Sequence, residues 1–172
     1  MKFKLQICLV SLAWFFLEGF DFSNHSVPVD EIYSVVPPKD GIPSIDKPRF
    51  VDGSKAEEYF LKDDDRVLGI FLKNKAKAYP IPILNWHEIV NDKIGTLSIV
   101  VTFYPLCGTG MVFDANVNSK PVSFGVSGLL YQIDMLLYDR LTESFFPKIK
   151  SSAIASKLSG TRLKLLPSIQ TT

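Results

Sequence analysis

From Thr96 to Tyr104 the sequence alternates without a break, and Pro105 follows at once. Leu97, Ile99, Val101 and Phe103 fall on one face, and Ser98, Val100, Thr102 and Tyr104 on the other. That two-residue period belongs to a β-strand, and a strand needs a sheet. The neighbouring segments read the same way. Val67 to Leu72 and Ala76 to Pro80 flank Lys73-Asn74-Lys75 as a hairpin. Met111 to Asp114 and Pro121 to Val126 flank Asn116 to Ser119 as another. Leu129 to Tyr138 is one long, apolar, two-faced run, and Leu163 to Leu166 is a last strand. Helical signals are few. Ser54 caps a short segment to Phe60, with Glu57 completing a capping box. Pro82 starts a helix through Asp92, with Ile83, Trp86, Ile89 and Val90 near one stripe and Gly95 stopping it. Ser151 to Leu158 is a third. The expected fold class is α+β: mostly antiparallel β with two or three short helices.

Composition narrows the function classes. Of 172 residues, 47% are hydrophobic and 12% aromatic, which suits one packed domain and excludes a disordered chain. A net charge of +1 argues against nucleic acid as a partner. Two cysteines cannot form a disulfide scaffold, and two histidines leave little for a histidine-rich metal site.

The N-terminus carries Lys2 and Lys4, then an uncharged apolar run from Leu5 to Leu17. This is the layout of a secretory signal. As a helix the run spans about 20 Å, short of a ~30 Å bilayer core. Residues 1–23 are therefore expected to be a signal peptide with no A-x-A mark at its cleavage site. The protein is then exported, periplasmic or extracellular, and meets the membrane only through this segment if it stays uncleaved. Residues 24–47 read as a linker rich in proline (Pro28, Pro37, Pro38, Pro43), and 48–172 as a single mostly β domain. Without the signal the chain keeps one thiol, Cys107.

The chemistry-bearing segments are short. Tyr104-Pro105-Leu106-Cys107-Gly108-Thr109-Gly110 ends a strand and turns tightly around the thiol. Cys107 is either a nucleophile with the amides of Gly108 to Gly110 as oxyanion donors, or a small buried side chain in a turn. Asn85-Trp86-His87-Glu88 precedes the strand leading to it. His87 would act as base toward Cys107 or share a metal with it, with Glu88 orienting or Asp139 nearby; otherwise His87 is structural. Spacing alone does not decide whether the two meet. Phe124 to Leu130 is a strand interrupted by Gly125 and Gly128 around Ser127, and is not a nucleophile elbow. Tyr138 to Ser144 brings Asp139 and Arg140 to a turn. Trp86, Glu88, Gly108, Gly110, Ser127, Asp139 and Arg140 are the candidate binding residues.

Five segments occur together in a known order: Asp40 to Pro43, Ile83 to Asp92, Pro105 to Gly110, Phe124 to Leu130 and Tyr138 to Ser144. On these motifs the chain, from about Pro38 onward, resembles the domain-of-unknown-function 3179 family of bacterial and archaeal proteins, often exported. The resemblance carries no established activity. Members typically read C-P-L-C-G at the turn, where this chain has Tyr104 in place of the first cysteine. They usually have tryptophan near the position of Phe146, and they continue beyond Thr172. The resemblance thus implies a chain short of a C-terminal portion. In members with both cysteines, zinc or copper ligation or a redox pair is implied; Tyr104 weakens that here. The expected function is an extracytoplasmic binding or accessory module for an unidentified small molecule or protein. The alternatives are a Cys107/His87 metal or redox site, a cysteine hydrolase or transferase, and an inactive truncated relative.

Overall fold

The computed structural model describes residues 21–35 and 37–172. Apart from its last three residues, the export segment (1–23) lies outside the described residues. Among the described residues no helix is long and apolar enough to cross a membrane.

The elements in chain order are β1 (Ile32–Ser34), β2 (Val67–Leu72), β3 (Lys75–Pro80), α1 (Ile81–His87), β4 (Ile89–Ile94), β5 (Leu97–Tyr104), β6 (Thr109–Asp114), β7 (Asn116–Val117), β8 (Lys120–Pro121), β9 (Phe124–Tyr131), β10 (Asp134–Asp139), β11 (Phe145–Pro147), β12 (Leu165–Leu166) and β13 (Ile169–Thr171). They form a four-stranded sheet β1-β9-β10-β11, a second four-stranded sheet β12-β6-β5-β4, a three-stranded sheet β13-β2-β3 and the small ribbon β7-β8. Among the described residues every pairing between these strands is antiparallel.

The alternation in β5 sorts two cores. Val100 and Tyr104 pack with Ile89, Phe113, Val126, Met135, Leu137 and Phe146, between the second sheet and the first. Ile99, Val101 and Phe103 pack with Leu68, Ile70, Tyr79, Leu84 and Val112, toward the third sheet and α1. The sheet containing β5 is thus the middle layer, buried on both faces, and its strand runs apolar on both. A third cluster (Val27, Leu136, Tyr138, Phe145, Ile154, Ala155) covers the far face of the first sheet. Adjacent residues of β10 and β11 divide between those faces: Met135, Leu137 and Phe146 point inward, and Leu136, Tyr138 and Phe145 outward.

Several expectations are corrected. In place of two or three short helices there is, among the described residues, one α-helix, α1, beside 3-10 segments at Val29–Glu31 and Gly53–Glu58. In the second of these Asp52, not Ser54, is the cap: its Oδ1 accepts from the Ser54 amide (3.0 Å). Helix α1 stops at His87 because Glu88 has a positive φ and Ile89 joins the sheet opposite Thr102. Residues 151–158 are not a helix: 152–155 carry isolated bridges, with Ala153 filling one core and Ile154 and Ala155 another, and 156–158 turn. The apolar run 129–138 is two strands, β9 and β10, turned at Gln132 and Ile133. Met111 to Val126 is not one hairpin, because β6 and β9 belong to different sheets.

Residues 24–47 are no free tether. Strand β1 pairs with β9, His25 bridges to Ala155, and Ile45 bridges to Val90. Residues 37–46 lie as a strap across β9. Arg140 binds Asp46 (2.8 Å), Asp40 (3.2 Å) and Ser44 (3.0 Å), Tyr138 donates to Asp40, and Asn91 donates to Asp46 (2.7 Å).

Candidate functional site

Under the strap lies a cavity of about 220 Å³ between the first and middle sheets. Its walls are apolar: Ile42, Leu106, Val126, Leu130 and Met135 among them. Two residues bring polar ends to it, Glu88 and Tyr104.

Glu88 reaches the cavity through its backbone. Ile89 and Val100 face the inner core, so strict alternation would turn residue 88 to the opposite face with Val90 and Phe103. Glu88 adopts φ 55° and ψ −31°, outside the regular wells, and lines the cavity beside Tyr104 instead. Its carbonyl still accepts from the Phe103 amide (2.7 Å), so the β4–β5 ladder continues past the kink. The residue is 8% exposed. Among the described residues its carboxyl has no hydrogen-bond partner, nor does the Tyr104 hydroxyl. Burial pushes the Glu88 carboxyl up to about 7, against an opposing pull from Lys148.

Lys148 is 1% exposed and sits behind this pair. Its ammonium donates to the Thr109 carbonyl (3.0 Å) and hydroxyl, and lies 5.6 Å from the Tyr104 ring centroid. Burial lowers its pKa, while Asp134, Cys107 and Glu88 raise it. Asp134 accepts from the Ile149 amide (2.7 Å) through Oδ2, and its buried Oδ1 has no partner. Burial raises the Asp134 carboxyl, opposed by that amide and by Lys148. The Tyr104 hydroxyl is raised by its own burial, then by Cys107, Glu88 and Asp134.

Of the residues singled out from sequence, Glu88 lines the cavity and Cys107 stands exposed on the turn at its rim. That turn is closed by the Cys107 amide on the Tyr104 carbonyl (3.2 Å) and the Gly108 amide on the Pro105 carbonyl (3.3 Å). Gly108, at φ 61°, takes the turn without strain, and its carbonyl accepts from Gln170 (3.3 Å). Gly110 lets β2 come close; a Cβ there would stand 2.8 Å from Leu68.

The remaining candidates lie apart from the cavity's polar end. The His87 ring donates from Nδ1 to the Pro43 carbonyl (2.7 Å), holding the strap, and among the described residues no interaction joins it to Cys107. Trp86 is 78% exposed. Ser127 is buried; it donates to the Leu136 carbonyl (2.6 Å) and accepts from the Leu129 amide (3.0 Å), stapling the bulge between β9 and β10. Asp139 gathers the Leu141, Thr142 and Ser144 amides and the Thr142 hydroxyl, which makes it a turn staple. Arg140 binds the strap. Among the described residues no group of three or more His, Cys, Asp or Glu side chains is arranged to hold a metal ion.

Sequence reading missed Tyr104 as a cavity residue, and it missed Lys148, Asp134 and Thr109. Lys148 carried a usable signal. It lies two residues beyond Phe146, so the parity that buries Phe146 buries it too. Asp134 opens β10, ahead of the apolar run Met135 to Leu137, and gave no such sign.

The molecule is therefore a layered antiparallel β domain with an interlayer pocket closed by an N-terminal strap. Residues 39–172 match the family described as Protein of unknown function (DUF3179), and the chain belongs to it. No curated protein and no solved structure matches the chain.

Proposed function

We propose that the chain is a binding module that takes a small, largely apolar ligand into the cavity between its first and middle sheets. The observation that carries this reading is Glu88. An off-well backbone costs about 1–3 kcal/mol, and it coincides with a largely buried carboxyl turned, beside Tyr104, into an apolar cavity. A fold keeps such a combination where a ligand completes it. The test is ligand-observed NMR with 1-pentanol as a small apolar probe. Binding is expected, and Val126→Phe, which fills the cavity, should abolish it while circular dichroism stays unchanged. No binding, or binding equal in the filled variant, contradicts the module reading.

The basic start and apolar run of residues 1–17 support export as the setting in which this module works. A fusion of residues 1–30 to a reporter active only outside the cytoplasm should give signal; silence argues against export.

Thiol chemistry is the second reading. It is favoured by the exposed Cys107 at the rim, which shares Tyr104 and Lys148 with Glu88 as charge neighbours. Glu88 rather than His87 is then the base. Alkylation of Cys107 should slow several-fold in Glu88→Gln and be unaffected by His87→Ala; equal rates in all three proteins contradict it.

A further inference from the structure

We propose that the ligand of this cavity is an organic ammonium ion, a small primary amine with an apolar body, whose charged end meets Glu88. The inference rests on the binding-module reading and adds the chemical class. Charge balance at the buried end is the first reason. Among the described residues two carboxyls, Glu88 and Asp134, face one shared cation, Lys148. Lys148 is committed to Thr109, and it does not line the cavity. Glu88 does, so the surplus carboxylate is the one presented to a ligand.

The second reason is the chemistry of what surrounds the ligand end. The Glu88 carboxylate and the Tyr104 hydroxyl both accept hydrogen bonds, and an ammonium group offers three donors. The Tyr104 ring, already under the Lys148 ammonium, adds a face that tolerates positive charge. The walls from Ile42, Val126, Leu130 and Met135 suit a short hydrocarbon body. A carboxylate ligand would instead face Glu88 with like charge and no cation on the cavity surface.

The titratable groups facing Glu88 are Lys148 after β11 and Tyr104 at the end of β5; Asp134 at the start of β10 and Cys107 on the turn act in turn on those two. With Glu88 titrating at about 7, an ammonium ligand should bind about tenfold more tightly at pH 8 than at pH 6, because the ionised fraction rises by about that factor. The amine itself stays charged throughout, like a lysine side chain.

The experiment is NMR titration of the full chain with pentylamine, 1-pentanol and pentanoate at pH 6, 7 and 8. Pentylamine is expected to bind at least tenfold more tightly than pentanol at pH 8 and to show the tenfold rise. Glu88→Gln should remove both effects. If that variant does not fold, the wild-type pH profile decides. Pentanol or pentanoate binding more tightly than the amine, or amine affinity that is flat or falls with pH, overturns the ammonium proposal and leaves the binding module standing. Failure of all three probes removes both.

Discussion

At Glu88 the backbone and the burial both act against stability, and the titration of its carboxyl sets a sign that can be measured. The folded carboxyl titrates at about 7, against 4.5 for a free one. Between those values the folded state holds a proton that the unfolded chain has released. Stability from this group is therefore greatest below pH 4.5 and falls as pH rises through 7, by about 3 kcal/mol. Asp134, raised by its own burial, adds to the fall in the same sense. Chemical denaturation across pH 5 to 8 should show this decline, and Glu88→Gln should flatten most of it and be the more stable protein at pH 8. A variant as steep as the wild type would place the titrating group elsewhere. Glu88 was legible as a candidate, but its role was not. Helical spacing carried α1 through Asp92, and nothing in the sequence announced that residue 88 leaves the helix at a positive φ. Pairing of the β-branched Ile89 and Val90 with β5 overrode the local period.

Hairpins show the opposite balance, because turn chemistry and strand alternation are local. The β2–β3 turn at Lys73 and Asn74 has both residues at positive φ, and asparagine suits it. The β9–β10 turn has the same geometry at Gln132 (φ 48°) and Ile133 (φ 61°), where a β-branched residue is strained. No turn residue marks that site, so 129–138 read as one strand. Ile133 is 79% exposed and gives up little packing if changed. Ile133→Gly should therefore stabilise the protein by about 0.5–1 kcal/mol in denaturant titrations, after allowing for the greater freedom of glycine in the unfolded chain. A loss of stability would mean that the isoleucine packs usefully where it stands.

Across the whole molecule, the layer order depends on contacts that composition and period do not encode. The alternation of β5 was readable; that both of its faces would be buried depends on β2, β9 and β10 arriving from either side. The strap was the least legible part, because proline-rich sequence without a period looks the same in a tether and in a segment laid flat on a sheet. Its seat is glycine-dependent. Gly128 has φ 72°, and a Cβ there would stand 2.6 Å from the Pro37 carbonyl. Gly128→Ala should cost at least 1–2 kcal/mol and weaken ligand binding together, since the strap roofs the cavity through Pro37 and Ile42. Thermal melts and the pentanol titration read the two effects. A lost melting temperature with unchanged binding would show that the strap is not a roof. The binding and pH expectations meet at one side chain, Glu88, so its own titration tests them most directly. The carboxyl carbon of Glu88, followed by NMR in uniformly labelled protein, should titrate with a midpoint near pH 7 and move higher in Lys148→Met, which removes the neighbouring ammonium. A midpoint in the ordinary carboxylate range, unmoved by that substitution, would mean that Glu88 is solvated and that the cavity is not built around it.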